Sequence, residues 1–191
     1  MGITAAELLD RLERDADAAT REAEALAAGL TDAQLAWPPA EGAWSIAQCL
    51  DHLRVTNELY FAPLRSALAA APPGAPEGEY RPRMLARWFI RAVGPQGKSR
   101  MKAPRRFRPD AAPAPAGAAE AFAASQRTLG DLIVQARGRD PQKVKISSPV
   151  ARILRFTAAE ALELMVAHEQ RHLAQAARVR SHPAFPPSRL S

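Results

Sequence analysis

The sequence predicts an all-α protein, a four-helix bundle, on three observations. Four segments carry apolar residues at helical spacing, three of them open with a capping box, and one long crossover separates the second from the third. With 191 residues and 47% hydrophobic content the chain fits one domain over about residues 1–180, with 181–191 expected as a flexible tail.

The first helix is expected from about Thr4 to Ala28. Its capping box is Thr4/Glu7, its inward stripe is Leu8, Leu12, Ala16, Ala19, Ala23 and Leu26, and Gly29 stops it. The second is expected from about Ser45 to Ala70, with the box Ser45/Gln48 and the stripe Ile46, Leu50, Leu53, Tyr60, Leu64 and Leu68. Trp44, just before that cap, is placed to staple against Cys49 one turn in. Pro63 predicts a kink or a break near Leu59 to Tyr60, and Pro72-Pro73-Gly74 ends the helix.

The connector, residues 71–116, is rich in Pro, Gly and Arg, and within it only RMLARWFIRAV has a helical pattern. Between Arg81 and Arg108 lie ten Lys or Arg residues and no Asp or Glu, which leaves about −4 for the rest of a chain whose net charge is +6. The basicity therefore belongs to one segment. Trp88, Phe89 and Phe107 interleave with its arginines as nucleic-acid stacking residues do. A lid that neutralises an anionic small substrate or docks on the bundle through its aromatics is the stronger expectation, because the charge sits on one connector and no nucleic-acid motif accompanies it.

The third helix is expected from about Gly117 to Arg137, with Phe122, Leu129, Leu132, Ile133 and Ala136 inward. Residues 142–148 alternate as a short extended linker. The fourth is expected from Thr157 to about Arg180, with the box Thr157/Glu160 and with Ala161, Met165, His168, His172, Ala176 and Val179 at spacings of three and four. Both histidines fall on its apolar stripe.

Two histidines four residues apart on a helix stand one turn apart on one face and can grip one metal ion together. Burying them without a metal or fixed partners would cost about 1–3 kcal/mol for each unpaired nitrogen. His52 lies at the edge of the second helix's stripe. If the second and fourth helices are neighbours, it completes a three-nitrogen site with an open coordination position.

Glu169 stands about a quarter turn from His168. It can act from outside the ligand set or as a base, but a solvated surface carboxylate is the ordinary expectation for an isolated helical Glu. Cys49, the one cysteine, forms no intramolecular disulfide and is expected as a small core residue rather than a fourth ligand. HEQRH also satisfies the HExxH pattern of zinc peptidases. The downstream third ligand has no candidate, since Ala174, Ala177 and Arg178 stand where it would fall. The first residues lack a secretory signal pattern and no run is long enough to span a membrane, so a cytoplasmic protein is expected.

The stretches AWPPAEGAWSIAQCLDHL, MKAPRRFRPD and VKISSPVARILRFTAAEALELMVAHEQRHLAQAARV together resemble the DinB-like (DinB/YfiT) superfamily over nearly the whole chain. The resemblance implies an up-down-down-up bundle with a metal at one end, zinc or nickel, held by His52, His168 and His172. It implies a homodimer and a small-molecule substrate. The implied activity is thiol S-transfer with a low-molecular-weight thiol activated on the metal. Metal-dependent hydrolysis and a non-catalytic metal-binding stress-response module stand as alternatives, and nucleic-acid binding through the connector as a weaker one.

Overall fold

A computed structural model of the protein describes residues 2–97, 103–109, 115–151 and 153–187. Four long helices carry the fold: α1 (Ala5–Ala27), α3 (Ile46–Ala70), α5 (Ala118–Arg137) and α6 (Ala158–Arg180). Two shorter ones, α2 (Asp32–Leu35) and α4 (Met84–Val93), lie in the connections. The three expected capping boxes are all formed, and a fourth, Thr31/Gln34, starts α2. In each, the side-chain oxygen of the cap takes one backbone N–H of the first turn and the Glu or Gln returns the bond.

The helix directions follow from cross-links between named residues. Arg137 at the end of α5 bridges Asp10 and Glu13 near the start of α1, so these two are antiparallel. Arg139 just after α5 donates to the Leu68 carbonyl near the end of α3, and Asn57 of α3 reaches Ser125 of α5, so α3 and α5 are parallel. Arg11 meets Glu163, and Arg180 meets the Leu26 carbonyl, so α1 and α6 are also parallel. With α3 antiparallel to α6, the bundle has the up-down-down-up order. The apolar residues expected to face inward are buried in all four helices.

α3 runs unbroken through Pro63, so the break expected near Leu59 to Tyr60 does not occur. A proline inside a helix costs about 3 kcal/mol, and the burial of Tyr60 and Leu64 on either side offsets that cost. Residues 145–147 are more than a linker. They form β1 (Lys145–Ser147), antiparallel to β2 (Arg155–Thr157), with Ile146 opposite Phe156 and both buried. β2 runs straight into the cap of α6 and thereby sets its start.

The described parts of the connector pack on the bundle. Tyr80 N–H bonds to Ile3 O, and α4 lies along α6 with Phe89 edge-on to Phe156 at 5.9 Å. A 3-10 turn, Arg105–Phe107, buries Phe107. Residues 98–102 and 110–114 of the expected lid lie outside the described residues. Part of the expected tail docks on α2. Phe185 meets Trp37 edge-on at 5.5 Å and Gln34 donates to Pro186 O at 2.9 Å, while residues 188–191 lie outside the described residues. No helix among the described residues is long and apolar enough to cross a membrane.

Candidate metal centre

His52 projects from the second turn of α3, and His168 and His172 from the last half of α6. Because α3 and α6 run antiparallel, the early part of one meets the late part of the other, and the three rings converge. Their ring centroids are 4.5–4.9 Å apart, and one nitrogen of each ring lies within 4.8 Å of the others. His52 Nε2 and His168 Nε2 are 3.2 Å apart.

The tautomers are set by what surrounds the rings. His52 Nδ1 bonds to the carbonyl oxygen of Phe107, which only accepts, so Nδ1 carries the proton and Nε2 of the neutral ring offers a lone pair. His172 Nδ1 pairs with Gln175 Oε1 at 3.0 Å, which leaves its Nε2 free in the same way. Two nitrogen ligands about 2.0–2.1 Å from a tetrahedral metal stand about 3.3 Å apart, close to the 3.2 Å of His52 and His168. The donor set, and the spacing of this pair, therefore fit a divalent ion.

Burial keeps these imidazoles neutral. It lowers the pKa of His52 against the opposing pull of Phe107 O and Asp51. Burial and then the two neighbouring histidines hold His168 well below the ordinary range. Burial, with His52 next in effect, pushes His172 down to about 3. A neutral imidazole is the form that ligates a metal.

Trp44 does not simply staple onto Cys49. Its ring centroid lies 4.7 Å from that of His52 and 5.6 Å from that of His172, so it covers one side of the trio. Arg171, beside His172, donates to Ala92 O at 2.9 Å and Gly97 O at 2.8 Å. The basic connector thus meets the centre through the Phe107 carbonyl on His52 and meets its neighbour Arg171 through Ala92 and Gly97.

Glu169 is corrected from the expected surface carboxylate to a fully buried one, with 0% exposure. It shares a stripe with Leu162, Met165, Leu173 and Ala176, at spacings of three and four, and all of these are buried. Asn57 of α3 donates to Glu169 Oε1 at 2.8 Å. Gln126 is near enough to favour the charged form but makes no hydrogen bond of normal geometry, and among the described residues Oε2 has no partner. Burial raises this carboxyl to about 7, against the opposing effects of Gln126 and Asn57.

Cys49 lies in the apolar cluster with Ile46, Leu50 and Leu53, outside the histidine group, and burial pushes its thiol up to about 12. Of the aromatics considered for base stacking, Phe89 and Phe107 are spent on packing, and Trp88 is exposed. Trp44, the Phe107 carbonyl, Gln175 and Asn57 are the parts of the site that residue patterns did not point to. The AWS entry to α3 was the available signal for Trp44.

A mostly helical bundle with three converging imidazoles, the outer nitrogens of His52 and His172 already engaged, defines a class of metal-dependent proteins. The chain belongs to the DinB superfamily, whose family model matches residues 15–176. Among solved structures it is similar to YfiT from Bacillus subtilis, described as a probable metal-dependent hydrolase with an unusual four-helix bundle topology. That likeness has a TM-score of 0.59 at 17% identity, over 93% of this chain and 89% of that one. No curated protein matches the chain.

Proposed function

We propose that this protein is a metal-dependent enzyme in which His52, His168 and His172 hold one divalent ion, zinc or nickel, and in which a small-molecule thiol is activated for S-transfer. The observation that carries the reading is the convergence of three ring nitrogens within 4.8 Å, with the outer nitrogens of His52 and His172 bonded to Phe107 O and Gln175. Such an ion, when bound, supplies the Lewis acidity that lowers the pKa of a thiol or a water.

The chain's own residues do the rest. Phe107 O and Gln175 fix the tautomers of two histidines. Trp44 shields one side of the rings from water, and burial keeps all three imidazoles unprotonated at neutral pH. Cys49 does not compete as nucleophile, because its thiol is buried and stays protonated. The basic connector supports an anionic substrate, as the carboxylates of a low-molecular-weight thiol would make it.

Hydrolysis is the second reading, supported by the likeness to YfiT, and the same ligands serve it. A homodimer in the cytoplasm accompanies the proposal, and light scattering on the purified protein tests the dimer.

The deciding experiment is elemental mass spectrometry on untagged protein beside His52→Ala, followed by a panel of thiols with electrophiles and of hydrolysable esters and amides. Near-stoichiometric zinc or nickel that disappears in the variant, with metal-dependent thiol consumption, is the expected result. Metal-dependent hydrolysis alone selects the second reading. A wild type that takes up no metal ends both.

A further inference from the structure

Glu169 is held by a chain of hydrogen bonds whose direction is determined. Ser125 Oγ donates to the Phe122 carbonyl at 2.7 Å, so its lone pairs are what Asn57 Nδ2 meets at 3.3 Å. That contact turns the Asn57 amide nitrogen, rather than its oxygen, toward α6, where it donates to Glu169 Oε1 at 2.8 Å. Every group in the chain is buried: Asn57 is 1% exposed, Ser125 5% and Glu169 0%. The network presents a donor to the carboxyl and no acceptor, which is the arrangement that suits an anion.

A buried anion needs a cation. The other carboxylates with buried oxygens have one: Asp51 pairs with Arg54, and Glu160 with Arg83. Glu169 forms no ion pair among the described residues. Directly before it in the chain stands His168, and three residues on stands His172, in a trio that offers a divalent ion three neutral nitrogens and no negative charge.

Resting on the three-histidine reading above, we propose that Glu169 is the counter-charge of the metal centre, kept out of the ligand set and held in place by Asn57, and that the Asn57–Glu169 bond positions His168 and His172 on α6 against His52 on α3. Both are positioning residues. Partners bonded directly to metal ligands typically change metal affinity by about 10–100-fold, and Glu169, which bonds Asn57 rather than a histidine, is expected to act within that range through its charge. The bond also joins the two helices that carry the ligands, beside His168 in the chain and five residues beyond His52, so loss of Asn57 loosens their register as well as the charge.

The test uses the full chain and cobalt(II) alone as probe, in competition with a chromophoric chelator, on wild type, Glu169→Gln, Glu169→Asp and Asn57→Ala. Circular dichroism melts of the metal-free proteins serve as the folding control. The expected result is an affinity about 10–100-fold weaker for Glu169→Gln at an undiminished metal-free melting temperature, with Glu169→Asp closer to wild type. Asn57→Ala also weakens binding and alters the cobalt d–d spectrum.

A merely structural carboxyl predicts the opposite order, because Gln keeps the shape and Asp leaves a gap. Equal affinity in Glu169→Gln and wild type, or weaker binding by Asp than by Gln, overturns the proposal and leaves the three-histidine site standing. A wild type that binds no cobalt removes that site and the counter-charge with it.

Discussion

Two glutamates on the same helix, nine residues apart, are equally buried and entirely differently treated. Glu160 accepts from the N–H, Nε and Nη2 of Arg83 and from the N–H of Thr157. Burial raises its pKa, the four donors more than offset this, and the carboxyl ends below its ordinary range. Glu169 has one amide donor, a second oxygen without a partner among the described residues, and a pKa raised to about 7. The first end of α6 is built from satisfied charge and holds the fold together. The second end leaves charge and lone pairs unsatisfied around three imidazoles, which a fold optimised for stability alone would not retain.

The largest expected effect tests the histidine end as a whole. All three imidazoles have lowered pKa values, so in the metal-free protein the stability they contribute is fully present above the unfolded value of about 6.5. It is lost as pH falls toward the folded values, which burial sets at about 3 for His172. Glu169 works in the opposite sense between about 4.5 and 7. Each titrating group is worth up to about 1.4 kcal/mol per pH unit, so His172 alone costs the folded state roughly 3 kcal/mol between pH 6.5 and 4.5, His52 and His168 add in the same direction, Glu169 offsets part, and the net loss is read from urea midpoints. Saturation with metal is expected to delay this loss to lower pH, because protons must then displace the ion. A metal-free midpoint that does not move across that range contradicts the buried neutral trio.

Next in size is Glu169→Gln. A carboxyl whose folded pKa is raised costs the folded state stability above that pKa and nothing below the unfolded one. In the metal-free protein the variant is expected to gain about 3 kcal/mol at pH 8 and nothing at pH 4. Glu160→Ala is expected to show the opposite sign, losing about 2 kcal/mol at pH 8 through the cap and the Arg83 bonds. Half of the Arg83 side chain is exposed, which keeps that figure modest. Equal signs for the two variants would erase the distinction between them.

The same contrast explains what could be read from the residues and what could not. Capping boxes and apolar stripes are local, so Thr4/Glu7, Ser45/Gln48 and Thr157/Glu160 announced three helix starts, and the i,i+4 histidines announced a shared face. Tertiary partnerships are not local. Nothing near Phe107 says that its carbonyl will meet a histidine 55 positions earlier, and nothing near Asn57 says that its amide will meet Glu169. Glu169 itself was misjudged because charge was weighed above phase: it stands four residues from both Met165 and Leu173, on the stripe that faces the core. Pro63 breaks no helix for the related reason that buried neighbours outweigh a local penalty.

The smallest expected effect asks whether the two ends of α6 are independent. Thr157→Ala removes the side-chain oxygen that accepts from Glu160 N–H at 3.2 Å, a loss of about 1 kcal/mol. His168 lies eleven residues along, about 16 Å up the helix, and between them Ala161, Leu162 and Met165 are fully buried. Fraying of the first turn is also resisted by β2, paired to β1 directly before it. The variant is therefore expected to lower the urea midpoint while leaving cobalt affinity within about twofold of wild type. A tenfold loss of affinity would mean that the cap sets the position of the histidines through the length of α6. The satisfied end would then be part of the metal centre, and the contrast between the two glutamates would describe two halves of one device.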